Sequence, residues 1–129
     1  GEATAKEIYF APNLATAIGG TVLIGEHLYG TSRQSAMCIE FLTGKIVWQD
    51  RSIGAAGILF ADGNLFLHGE NGEVALVEAT PDSYKEKGRF TPADGPERGK
   101  NKSWAYPVVA NGRLYIHDWG TLWCYDVKR

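Results

Sequence analysis

Three stretches of the chain lie over one another: TVLIGEHLYG (Thr21–Gly30), ILFADGNLFLHG (Ile58–Gly69) and PVVANGRLYIHD (Pro107–Asp118). Each has an apolar run, a glycine-bearing turn, and then Leu followed by an aromatic residue: Leu28-Tyr29, Leu65-Phe66 and Leu114-Tyr115. The runs are short and rich in β-branched and aromatic side chains, which suit a half-buried pleated surface. The pairs Gly25-Glu26, Asp62-Gly63 and Asn111-Gly112 supply the positive φ that a tight hairpin needs. Each stretch is therefore read as a β-hairpin that occurs three times.

A second block follows each hairpin: MCIEFLTGKIVWQ from Met37, VALVEATPDSYKEKGRF from Val74, and LWCYDVKR from Leu122. Leu28, Leu65 and Leu114 lie 37 and then 49 residues apart. The excess of 12 matches the polar stretch from Thr91 to Ser103, read as an inserted surface loop. Each unit then holds four strands, a to d, expected near 20–24, 27–31, 36–41 and 45–50, then 57–61, 64–68, 73–78 and 84–90. The third unit offers 106–110, 113–117 and 121–126. A period near 40 residues built of four strands is the signature of a propeller blade. The fold class is all-β, a β-propeller of four-stranded antiparallel blades, about three of them in this chain. One segment spans residues 1–129, with blades near 18–50, 57–90 and 104–126, an N-terminal strand at 7–10 and the inserted loop at 91–103. An antiparallel sandwich is the rival architecture. A lone blade covers neither of its faces, so blades must stack.

Composition supports this class and removes others. Apolar residues make up 44% and charged residues 22%, near the averages for globular domains. A formal charge of -2 gives no basic footprint for nucleic acid or an anionic membrane. No apolar run reaches the length of a spanning helix, and the opening GEATAKE lacks the apolar stretch of a signal peptide.

The stretch CIEFLTGKIVW (Cys38–Trp48) resembles the hallmark of the PQQ-like, quinoprotein-type propeller repeat, in which Thr-Gly-Lys is followed three residues on by Trp. Thr43, Gly44, Lys45 and Trp48 match, and Glu40 stands near the usual Asp. The resemblance covers roughly residues 18 to 126, and blade two departs from it, with Thr80-Pro81 for Thr-Gly and Tyr84 or Phe90 for Trp. It implies Trp48 largely buried between blades, and a location outside the cytoplasm, periplasmic or secreted. Enzymes of that family use an adjacent Cys-Cys pair and calcium ligands, neither of which this sequence carries, so the resemblance points to the non-enzymatic branch. The expectation is a scaffold or binding module without catalytic residues, metal or cofactor. The alternative is a fragment of a PQQ-dependent dehydrogenase whose quinone and calcium site lies on other blades.

Several residues invite a functional reading. Cys38 and Cys124 fall at one position of strand c, where Ala75 is placed in the middle blade, and are read as small buried residues with free thiols. His68 and His117 share a repeat position, and Asp118 is the one obvious third ligand for a metal. A satisfied or solvated histidine is the commoner outcome. Trp104, Tyr106, Trp119 and Trp123 make blade three aromatic; flat rings stack on sugars or peptides, but core packing and blade-to-blade contact is their commoner role. Trp119, in the turn HDWGT, is expected to be exposed. The candidate partner surface is thus Trp104, Trp119, His68, His117 and Asp118. The loop 91–103 reads as a mobile, solvated insertion. Finally, Glu7–Phe10 (EIYF) reads as a d strand with no blade of its own, while blade three lacks one. Two copies exchanging that strand would close a six-bladed ring, within the range of about four to eight blades; the alternatives are a fragment cut from a larger ring of about eight blades, or a different oligomer. The expected partners are therefore a second copy, another protein or a carbohydrate, with no nucleic acid and no membrane insertion.

Overall fold

Hairpin chemistry sets the architecture. Positive φ at Gly25 (58°), Asp62 (50°), Gly63 (74°), Asn111 (52°) and Gly112 (72°) closes the three a–b turns. The computed structural model describes residues 1–15, 17, 18 and 20–128. Blade one comprises β1 (Thr21–Ile24), β2 (His27–Thr31), β3 (Ala36–Glu40) and β4 (Ile46–Asp50). Blade two comprises β5 (Ala56–Ala61), β6 (Asn64–Gly69), β7 (Val74–Glu78) and β8 (Glu86–Phe90). Blade three holds β9 (Val108–Ala110), β10 (Arg113–Asp118) and β11 (Thr121–Asp126). Every neighbouring pair is antiparallel and consecutive, giving two four-stranded meanders and one three-stranded meander with no helix among the described residues.

The Leu-aromatic dipeptide of each β2-type strand explains how blades stack, because successive side chains point to opposite faces. Leu65 packs back onto blade one, with Tyr29, Cys38 and Ile58, while Leu114 packs back onto blade two, with Phe66 and Val74. Leu28 packs the same way onto Leu14 and Ala15 of the N-terminal segment. The aromatic partner points forward: Tyr29 reaches blade two and Phe66 reaches blade three. Three leucines thus occupy one repeat position, as expected. Each fully buried Leu or Ile removes enough apolar area to contribute about 1.5–3 kcal/mol.

Several expectations need correction. The residue opposite Phe66 is Leu76, as Cys38 is opposite Tyr29 and Cys124 opposite Tyr115. Leu76, rather than Ala75, is therefore the equivalent of the two cysteines. The b–c connection of blade two is one residue longer, pairing His68 with Val74 where Thr31 pairs with Ala36, and this shifts the alignment by one. Both thiols are free; Cys38 is fully buried but Cys124 is exposed, because among the described residues no strand packs on the forward face of blade three. Trp48 is half-buried at the outer rim, where its ring meets Tyr29 and Tyr84 and its Nε1–H donates to Thr80 O (2.9 Å). Glu7–Phe10, expected as a strand, forms no strand and pairs with none among the described residues.

Candidate functional site

The ladder ends Thr31↔Ala36, Ala36↔Asp50 and Ala56↔Gly69 place the b–c turns and the blade-to-blade links at one end of the sheets. At this end, in blades one and two, a polar side chain of the b strand bonds the chain that enters the next blade. Thr31 Oγ1 donates to Ala56 O (3.0 Å) and accepts from Ala56 N–H (3.0 Å). In blade two the equivalent residue is His68, whose Nδ1 lies 2.8 Å from Ala105 O. A carbonyl can only accept, so Nδ1 carries the proton, and Nε2 is left to accept from Ser103 Oγ–H (3.3 Å). Burial pushes the His68 pKa down, opposed by the bond to Ala105 and by nearby Asp118, so the ring is neutral.

The inserted loop is anchored rather than mobile, which corrects the expectation. The Arg98 guanidinium donates to buried Asp118 through Nε (2.6 Å) and Nη2, and through Nη1 to Asn71 O (3.0 Å). Trp123 Nε1–H donates to Ala93 O (2.9 Å), and Ser103 N–H to Glu70 O (2.8 Å). Asp118 Oδ1 is buried with no hydrogen-bond partner among the described residues.

On this support stand two exposed indoles. Trp104 is 65% and Trp119 52% exposed, and with Lys100, Asn101 and Lys102 they line one open groove of about 350 Å³. Trp104 Nε1–H donates to Glu70 Oε1 (3.3 Å), and Lys102 Nζ pairs with the other oxygen of that carboxylate. Trp119 sits at φ 53° in the turn between β10 and β11. A bulky residue in left-handed backbone costs about 1–2 kcal/mol, and Asn or Gly would relax it. Strain of this kind collects where a side chain is needed outside the fold.

Of the five candidates the structure joins Trp104 and Trp119, and places His68 and Asp118 in the support beneath. His117 is exposed on the forward face of blade three, so the two histidines do not converge. Glu70 and Ser103 were missed. Ser103 alone had a signal, because it stands two residues before Ala105, and Ala105 is the repeat equivalent of Ala56.

The donor set does not fit a quinone–calcium centre. Among the described residues no three His, Cys, Asp or Glu side chains come together, the two cysteines are separated by a blade, and Arg98 occupies the one buried carboxylate. No described helix is long and apolar enough to cross a membrane.

The sequence matches no family model and no curated protein. Solved structures are similar in fold. BamB from Moraxella catarrhalis superposes with a TM-score of 0.73 at 14% identity, over 93% of this chain and 36% of its own. A europium-containing methanol dehydrogenase gives 0.66 at 16% identity over 88% and 24%. The quinohemoprotein alcohol dehydrogenase ADHIIG from Pseudomonas putida HK5 gives 0.65 at 15% identity over 84% and 18%. The architecture is therefore that of PQQ-like β-propellers, and this chain spans about a third or less of the length of these neighbours.

Proposed function

We propose that this chain is a non-catalytic binding scaffold, a propeller segment that acts outside the cytoplasm and takes a protein or carbohydrate partner in the Trp104–Trp119 groove. The single observation that carries the reading is Trp119: an exposed indole held in strained backbone, beside a second exposed indole, over a buried ion pair. Two flat faces flanked by Lys100 and Lys102 suit sugar rings or an extended peptide with aromatic and acidic side chains. Self-association through the forward face of blade three belongs to the same reading.

Tryptophan fluorescence tests the groove. The probes are maltohexaose, cellohexaose and a synthetic peptide alternating Tyr and Glu. One probe class is expected to perturb the emission, with affinity at least tenfold weaker in Trp104→Ala and Trp119→Asn. No response to any of the three overturns the groove as the binding surface. Family resemblance supports a second reading, a segment of a quinoprotein dehydrogenase. A change in emission on adding quinone with calcium would favour it over the first.

A further inference from the structure

We propose that the Trp104–Trp119 groove is one end of a trough that crosses the ends of all three blades and takes a linear anionic polysaccharide, its sugar rings on the two indoles and its carboxylates along Lys100 and Arg33. This rests on the groove reading above and names its ligand.

The trough is built from the turns and links that gather at one end of the sheets. The groove of Lys100, Asn101, Lys102, Trp104 and Trp119 opens through Asn101 and Lys102 into a second hollow of about 320 Å³, which reaches Glu70, Asn71 and Arg98. Through Glu70 and Asn71 that hollow opens into a third of about 330 Å³, over the link Ser52–Ala55 and as far as Arg33 in the turn between β2 and β3. The contacts run the same way. Trp104 bonds Glu70, and Glu70 N–H donates to Ala55 O (2.9 Å). Gly54 then lies against the Arg33 backbone, where an added Cβ would stand 3.0 Å from Arg33 O. All the walls come from residues between Arg33 and Trp119.

The charge of the trough is opposite to that of the chain as a whole. Its lining holds five cations, Arg33, Arg89, Arg98, Lys100 and Lys102, against two carboxylates, Glu70 and Glu73, while the formal charge of the protein is -2. Both carboxylates are taken, Glu70 by Lys102 and Glu73 by Arg89, and Arg98 is neutralised by Asp118. Arg33 and Lys100 are exposed and have no carboxylate partner among the described residues. One stands in the indole groove and the other in the hollow farthest from it. A cleft with an excess of one sign concentrates ligands of the opposite sign.

The floor favours a polysaccharide over an extended peptide. A peptide held by its backbone needs free N–H and C=O groups, as at a sheet edge. Along this floor those groups are already joined to the protein itself. Gly69 N–H donates to Glu73 O, Gly72 N–H to Gly69 O and Ser103 N–H to Glu70 O, each at 2.8 Å, and Arg98 Nη1 donates to Asn71 O (3.0 Å). What projects into the trough is side chains: two indoles, the amides of Asn71 and Asn101, and the unpaired cations. Indoles take the apolar faces of sugar rings, amides exchange hydrogen bonds with hydroxyls, and Lys and Arg bind uronate carboxylates.

Tryptophan emission titrated with hexagalacturonate, maltohexaose and the Tyr–Glu peptide tests this. Hexagalacturonate is expected to bind roughly tenfold more tightly than maltohexaose at about 0.01 M salt. That advantage should vanish at about 1 M, where screening acts beyond about 3 Å. Arg33→Ala and Lys100→Ala remove exposed side chains without carboxylate partners, and each should weaken hexagalacturonate roughly fivefold. Arg33→Lys should retain the affinity, and Arg113→Ala, beside an a–b turn at the opposite end of the sheets, should leave it unchanged. Equal affinity for the two sugars overturns the anionic ligand, and no effect of Arg33→Ala overturns the trough, while the groove stands in both cases. Uronate binding that Trp119→Asn leaves intact is a surface contact of a polyanion and overturns the proposal. A response to the peptide alone overturns the polysaccharide and keeps the groove. No response to any of the three overturns both.

Discussion

The junction of blades one and two and the junction of blades two and three join equivalent surfaces by different means. The first is dry: Tyr29, Cys38, Leu65 and Val77 fill it, Trp48 and Tyr84 close its outer rim, and Thr31 is its polar stitch. The second has an apolar lower part around Phe66, Leu114 and Ile116, with Phe90 on Tyr125 (4.8 Å) at the rim. Its upper part is polar, holding His68, Ser103, Asp118 and Arg98 where the first junction has Thr31 alone. A longer link between blades brought a loop that had to be held down, and the holding was done by a buried ion pair and a neutral histidine. The difference teaches that an insertion in a repeat is tolerated when its backbone acceptors and charges are satisfied from the neighbouring blades.

Removing the loop's anchor would break the comparison most severely. Arg98→Ala leaves the Asp118 carboxylate buried without its counter-charge, which is expected to lower stability by about 3 kcal/mol. Urea unfolding measures it, and a loss under ~1 kcal/mol would mean that the ion pair does not hold the second junction. The dry junction has a smaller vulnerability. Thr31→Val keeps the shape but strands the Ala56 N–H and C=O, with an expected loss of about 2 kcal/mol in the same assay. The opposite sign is expected at Trp119, where Asn relaxes the left-handed backbone. Trp119→Asn should raise stability by about 1 kcal/mol while weakening the groove.

The smallest effect is a pH dependence confined to the second junction. Burial holds the His68 imidazole below its usual 6.5. Below that value the unfolded chain takes up a proton that the folded chain refuses. His68 therefore contributes its full stability above about pH 6.5 and loses it as the pH falls through the folded pKa. His68→Thr, which copies the first junction, should flatten that part of the profile. An unchanged slope would place the proton-linked stability elsewhere.

The strands were legible in the sequence because the a–b turns and the Leu-aromatic dipeptides repeat with little variation. The b–c connection of blade two hid a single extra residue, so Ala75 was set where Leu76 stands, a slip that reverses which face a side chain takes. Burial of Cys124 was misjudged for a different reason: sequence equivalence to Cys38 carries over position in a blade, but not which described residues pack on that face. The exposure of Trp119 could be read from its place in a turn, whereas the aromatic excess of blade three gave no sign of which other ring, Trp104, would be exposed. The support beneath the two rings could not be read, because Arg98–Asp118, Ser103–His68 and Lys102–Glu70 join a loop without periodicity to residues 20 to 35 positions away.

The central claim is that Cys38 and Cys124 occupy one repeat position and differ in whether a blade covers them, and thiol alkylation followed by mass spectrometry tests it most directly. Cys124 should label rapidly and Cys38 only on unfolding. Equal labelling of the two thiols, or a disulfide between them within one chain, would contradict the account.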